Sequence, residues 1–289
     1  MLAQLILSGA AQGAIYALVA LSMTIIYRGT TIVNFGHGDF IMAGAFLVFT
    51  FTTAMGLPFL LAVLVSMALL CALGIVVHIY FIEATAKGSH LGQIMMTIAI
   101  GFLLNSVANI VYGRDVIALQ LPYHLKPIFV GDAVITGSSF LIVSVALALT
   151  VAFFILLNKT WLGRKIQAVY QSPTGAALVG IHVRRYQAGL WGAGLVIGTV
   201  CGVLLAPLTQ LYPDMGRNLL IMAFASMALG GFGNLWGAIL GGLLVGILQN
   251  VAGAYVNTAL IEIIPHLIII IVLVVRPTGL LGQQVVERV

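Results

Sequence analysis

The chain has 289 residues, of which 62% are hydrophobic and 7% charged, with a mean hydropathy of +1.17. That composition excludes an ordinary soluble core, and membrane spans with short connectors consume the length, so no separate soluble domain fits. The formal charge of +5 reads as membrane topology, because Lys and Arg accumulate in cytoplasmic loops, and no nucleic-acid partner is expected.

The first stretch, "MLAQLILSGAAQGAIYALVALSMTIIY", lacks a basic leading region, and its apolar run outlasts any cleavage point. It is expected to be a retained span rather than a signal peptide. Further candidate spans follow at 36–54, 57–80, 91–112, 137–157, 186–208, 219–230, 236–256 and 259–275. The expected fold is all-α, a polytopic membrane helix bundle of about eight to ten segments, some of them discontinuous. Residues 1–289 are read as a single transmembrane domain that includes a 113–136 outer loop and a 158–185 cytoplasmic loop.

The second span opens on "IVNFGHGDFIMAGAF", and "LGGFGNLWGAILGG" follows the 219–230 stretch. Glycine-interrupted apolar segments in both halves of a transporter point to broken helices around a translocation path. Asn34, His37 and Asp39 at the first break, and Gly231 and Gly233 at the second, are the candidate path residues. A mid-membrane carboxylate costs about 2.5–3.5 kcal/mol on insertion scales, so Asp39 must face a cavity, the bundle interior or the interface. The three polar residues either line the path or hydrogen-bond the backbone freed at the break. At 12 residues, 219–230 is about 18 Å of helix, too short to span alone. Glycines at four-residue spacing, Gly9 and Gly13, then Gly194, Gly198 and Gly202, then Gly233, Gly237 and Gly241, predict close helix packing.

Between the fourth and fifth spans, Gly131-Asp132 separates two β-prone runs and predicts a hairpin. Cys71 and Cys201 lie in apolar runs without metal-ligand spacing, so buried free thiols are expected and neither a metal nor a cofactor. His78 and His266 are expected to be structural.

Five of the twelve basic residues lie between Lys159 and Arg185. Leu162, Ile166, Val169 and Tyr170 share one helical face, which predicts an amphipathic helix on the membrane surface, in contact with lipid headgroups. Ser172, Pro173 and Gly180 then suit the N-cap, first position and C-terminal cap of a separate two-turn helix. So short a helix needs support, and its apolar residues Ala176, Ala177, Leu178 and Val179 predict a docked protein partner. With this segment in the cytoplasm and every candidate span crossing, nine basic residues fall inside (Arg28, Lys87, Lys159, Arg164, Lys165, Arg184, Arg185, Arg276, Arg288) and three outside (Arg114, Lys126, Arg217); if 219–230 does not cross, Arg276 and Arg288 fall outside. That bias predicts an outer N-terminus and an inner C-terminus.

The chain contains no GxxxxGK[ST], HExxH or GxSxG, so neither ATP hydrolysis nor intramembrane hydrolysis has a motif behind it and no catalytic residue is expected. "GAIYALVALSMTIIY", "NFGHGDF", "ALVGI" and "RPTGLLG" together resemble the LivH-type permease subunits of the branched-chain amino-acid ABC importer family. The resemblance implies a non-catalytic permease of the bacterial inner membrane. Its partners would be a second permease, homologous or identical, two ATPase subunits and a periplasmic substrate-binding protein. The 172–181 segment, from Ser172 to Ile181, would be the ATPase coupling helix. Leucine, isoleucine or valine is the implied cargo, with urea, short amides and aromatic acids as alternatives. The competing reading is a self-sufficient secondary transporter or channel. It would show ion-coupling charges at mid-membrane, where only Asp39 offers one, and would leave the coupling helix without a role.

Overall fold

The computed structural model describes residues 2–85, 88–119, 122, 126–130 and 133–282. Helices α1 (Leu2–Thr30), α2 (His37–Thr53) and α3 (Phe59–Val77) come first. A π-helical turn at His78–Ile82 links α3 to the short α4 (Glu83–Thr85), and α5 (His90–Tyr112) follows. Strands β1 (Ile128–Val130) and β2 (Ala133–Ile135) precede α6 (Gly137–Lys159), α7 (Trp161–Gln171), α8 (Pro173–Leu178) and α9 (Val183–Thr209). The last helices are α10 (Met215–Gly230), α11 (Leu235–Tyr255) and α12 (Leu260–Val275). The architecture is an all-α membrane bundle. Among the described residues, six helical stretches are long and apolar enough to cross a membrane, and α10 and α12 are shorter apolar helices. Every expected span has a helix. The expected 219–230 segment starts earlier, at Met215, which at 1.5 Å per residue gives a rod of about 24 Å.

The chain divides into two compact units. One holds residues 25–123 and 147–220. Its core joins Phe40 of α2, Leu70 and Val77 of α3, Ile82 of the π turn, and Trp191 and Leu195 of α9. Glycines set the spacing. Gly74 meets the Trp191 carbonyl and Gly192, Gly198 and Gly202 lie against Ile41, and Gly44 lies against Thr199. The expected ladder on α9 is therefore the groove that receives α2, because a missing Cβ lets two backbones approach. Glu83 of α4 and Arg184 of α9 form an ion pair at 2.5 Å.

The other unit holds residues 1–24, 124–146 and 221–289. Gly9 and Gly13 of α1 pack on the backbone of Ile247 and Gly242 of α11, and Gly237 and Gly241 of α11 pack on Gly230 and Ser226 of α10. The two strands pair antiparallel in the register Val130 to Ala133 and Ile128 to Ile135, as expected of a hairpin. The expected turn residues Gly131 and Asp132, and the counted charges Lys87 and Arg288, lie outside the described residues. Gln4 brackets the hairpin, its amide giving and receiving a hydrogen bond at the Val134 backbone.

Candidate translocation site and coupling surface

Helix α5 carries a polar stripe. Gln93, Thr97, Gly101, Asn105 and Asn109 recur every four residues in an otherwise apolar helix, so they lie on one face. Each of the first four meets a place where a neighbouring helix is irregular. Gln93 donates to the Ile82 carbonyl in the π turn. Thr97 accepts from the Phe35 amide in the gap between α1 and α2. Gly101 packs against the Cα of Gly36. Asn105 donates at 2.8 Å to the Pro213 carbonyl just before α10. Backbone groups released at membrane depth must find partners within the protein, and this stripe supplies them.

The gap itself runs from Thr31, whose φ of 57° ends α1, to Gly36. Asn34 folds back and accepts from the Gly36 amide at 3.1 Å through its Oδ1. Its Nδ2 is buried and has no hydrogen-bond partner among the described residues. His37 opens α2 fully buried, its ring beside Gly198. Gly36 rests on the midpoint of α5, so α2 begins about halfway along that span rather than at its end. Asp39 lies in the first turn with its carboxylate over Gly101.

Helix α10 starts at the same place. The Gly38 and Gly216 carbonyls stand where a Cβ on the opposing glycine would go, so the first turns of α2 and α10 touch backbone to backbone. Two helix N-termini thus meet near the midpoint of α5. Arg217, counted by sequence among the outer-loop charges, is in the first turn of α10, and its guanidinium stands 3.6 Å from Asp214 and over the Phe102 ring.

The candidate coupling segment is built as its residues dictate. The Ser172 hydroxyl accepts from the Gly175 amide, and Pro173 opens α8. Gly180 takes a φ of 83°. Its amide bonds the Ala177 carbonyl and the Ile181 amide bonds the Ala176 carbonyl, the double closure of a helix end at a left-handed glycine. Two expectations need correction. Ala176 is 3% exposed and faces inward, because α8 packs on α7 and α9, whereas Leu178 is 84% and Val179 75% exposed. On α7 the buried line is Gly163, Ile166 and Val169, while Leu162 and Tyr170 are exposed. Gly163 sits hard against the Leu157 carbonyl, where a Cβ would not fit. Arg164 lies over the exposed Trp161 ring, 4.2 Å from its centroid.

The family model for branched-chain amino acid transport systems, permease component, matches residues 5–273. The chain belongs to this family. LivH of Escherichia coli K12, a high-affinity branched-chain amino acid transport system permease protein, is 29% identical over 99% of this chain and 97% of its own. BraD of Pseudomonas aeruginosa is 28% identical over the same shares. A probable LivH of Methanocaldococcus jannaschii is 24% identical over 92% of this chain and 88% of its own. No solved structure matches.

In this permease Asn34, His37 and Asp39 lie together at the start of α2. Gly231 and Gly233 belong to the other unit. Gly231, at a φ of 105°, packs against Thr278, Gly279 and Gly282. The amides of Leu280 and Leu281 satisfy the last carbonyls of α10, Leu229 and Gly230. The "RPTGLLG" stretch of this permease is thus the cap on α10. Sequence reasoning missed the α5 stripe and the α10 start, although the four-residue polar spacing was present to be found.

Proposed function

We propose that this permease forms one wall of the path of an ATP-driven importer for branched-chain amino acids in the bacterial inner membrane. It pairs with a second permease, takes cargo from a periplasmic binding protein, and is driven by two ATPase subunits seated on α8. The N-terminus is outside, the α7–α8 segment is cytoplasmic, and the chain itself catalyses no reaction. The observation that carries the reading is the meeting of α2 and α10 at Gly38 and Gly216. Transporters place helix breaks of this kind at the substrate path, where unwound backbone can face water inside a membrane.

The test is uptake of labelled leucine by cells that lack other branched-chain systems and express this permease with its neighbouring subunits. Uptake that stops when ATP is depleted while the ion gradients are held supports the reading. Uptake that follows an ion gradient in the permease alone favours the secondary transporter, and uptake of urea or an amide but no amino acid overturns the cargo.

A further inference from the structure

On the outer side of the α2–α10 contact lies a cavity of about 630 Å³ lined by Asn105, Ser106, Asn109, Ile110, Arg114 and Asp214. Its size is within the roughly 300–1,000 Å³ of small-molecule sites. We propose that this cavity binds the zwitterionic α-amino acid itself, as a stopping place between the mouth of the path and Asp39. The proposal rests on the transport reading above and adds to it the groups that would hold the cargo.

Three kinds of chemistry meet there. Arg114 follows the end of α5 and pairs with no carboxylate among the described residues. It is the receiver for an α-carboxylate, since a guanidinium offers a planar fork of donors. Asp214 is exposed and only loosely paired, 3.6 Å from Arg217. Asn109 spends its amide hydrogens on the Asn105 carbonyl and side-chain oxygen, which leaves its own oxygen to accept. These two face an α-ammonium group. Ile110, 84% exposed, supplies apolar surface for an aliphatic side chain.

The surroundings require a wet cavity at this place. Phe102 and Leu103 are exposed on the same helix, as a membrane-facing surface would be. The Asp214 carboxylate, beside Asn105 of α5, would be expensive against lipid, and such groups at membrane depth face water-filled cavities or protein. Asp39 continues the line inward, its carboxylate over Gly101, four residues before Asn105 on α5. An amino acid leaving the cavity would therefore meet a second carboxylate beside the α2–α10 contact.

The test places a cysteine at Ser106 in the purified permease–ATPase complex and follows alkylation by an impermeant thiol reagent, with the unsubstituted complex as the background. Leucine at millimolar concentration is expected to slow the reaction at least threefold. Leucine amide, which lacks the carboxylate, and 4-methyl-2-oxopentanoate, which lacks the ammonium, are expected to leave it unchanged. Arg114→Gln added to the cysteine variant is expected to remove the protection by leucine. A cysteine at Ile110 serves as a second probe should the Ser106 variant assemble poorly. No labelling at either position would show that the cavity is not open to water and overturn the proposal. So would equal protection by all three compounds, or none by leucine. A complex that imports leucine yet shows no protection loses only this site, whereas one that imports no amino acid loses the transport reading.

Discussion

Gly38 and Gly216 stand backbone to backbone, and through them the first turns of α2 and α10 touch. Neither glycine has room for a Cβ. The contact brings the backbones of Asp39 and Arg217, the neighbours of the two glycines, close together.

Gly216→Ala is therefore expected to destabilise the assembled permease. Backbone carbonyl, not a movable side chain, fills the space, so the helices must separate, at about 1–3 kcal/mol for an overpacked contact. A drop of several degrees in the melting temperature of the detergent-purified complex, with weaker uptake, is the predicted result. An unchanged melting temperature would mean the two helices do not meet.

Asp39→Asn is expected to leave membrane levels near wild type and to lower leucine uptake severalfold, because a carboxylate at membrane depth is costly unless it is used. The amide fits the same space over Gly101 while removing the charge. Immunoblots of membranes and initial uptake rates together check this. Loss of the protein from the membrane would make Asp39 a structural residue.

Thr97→Val keeps the shape of the side chain and deletes the oxygen that accepts from the Phe35 amide. An unsatisfied buried donor costs about 1–3 kcal/mol, so a lower melting temperature is predicted. Thr97→Ser should restore it, which separates the hydrogen bond from packing.

A cysteine at Gln171, exposed at the end of α7, is expected to react with impermeant thiol reagents only from the cytoplasmic side. The nine-to-three distribution of basic residues motivates the assignment. Labelling of intact cells from the periplasm would reverse the whole orientation.

On α8 the two alanines are expected to behave differently. Ala177 is exposed and Ala176 buried. Ala177→Arg, or Leu178→Glu, should leave the permease in the membrane while abolishing co-purification of the ATPase, because each would bury an unpaired charge in the docking contact. Ala176→Arg should instead lower the amount of folded permease. Full ATPase recovery with both exposed variants would remove α8 from the docking site.

The sequence by itself determined the class of fold, the presence of a helix at every expected span, the cap residues of α8 and the family. These follow from apolar run length, from glycine spacing and from the local hydrogen bonds of Ser172 and Gly180, none of which needs a distant partner. The break before His37 was legible for the same reason, since glycines and polar residues interrupt an apolar run there. Only the tertiary structure decided what faces the break. The Thr97 hydroxyl, Gly101 and Asn105 come from a helix some sixty residues away, and Gly216 from one farther still. It also decided that Ala176 turns inward and Ala177 outward, and that Gly231 is packed against the C-terminal turn. A six-residue helix with apolar side chains all round has no sequence signal for its buried side. That choice is made by α7 and α9, which cover one side of α8 and leave the other exposed.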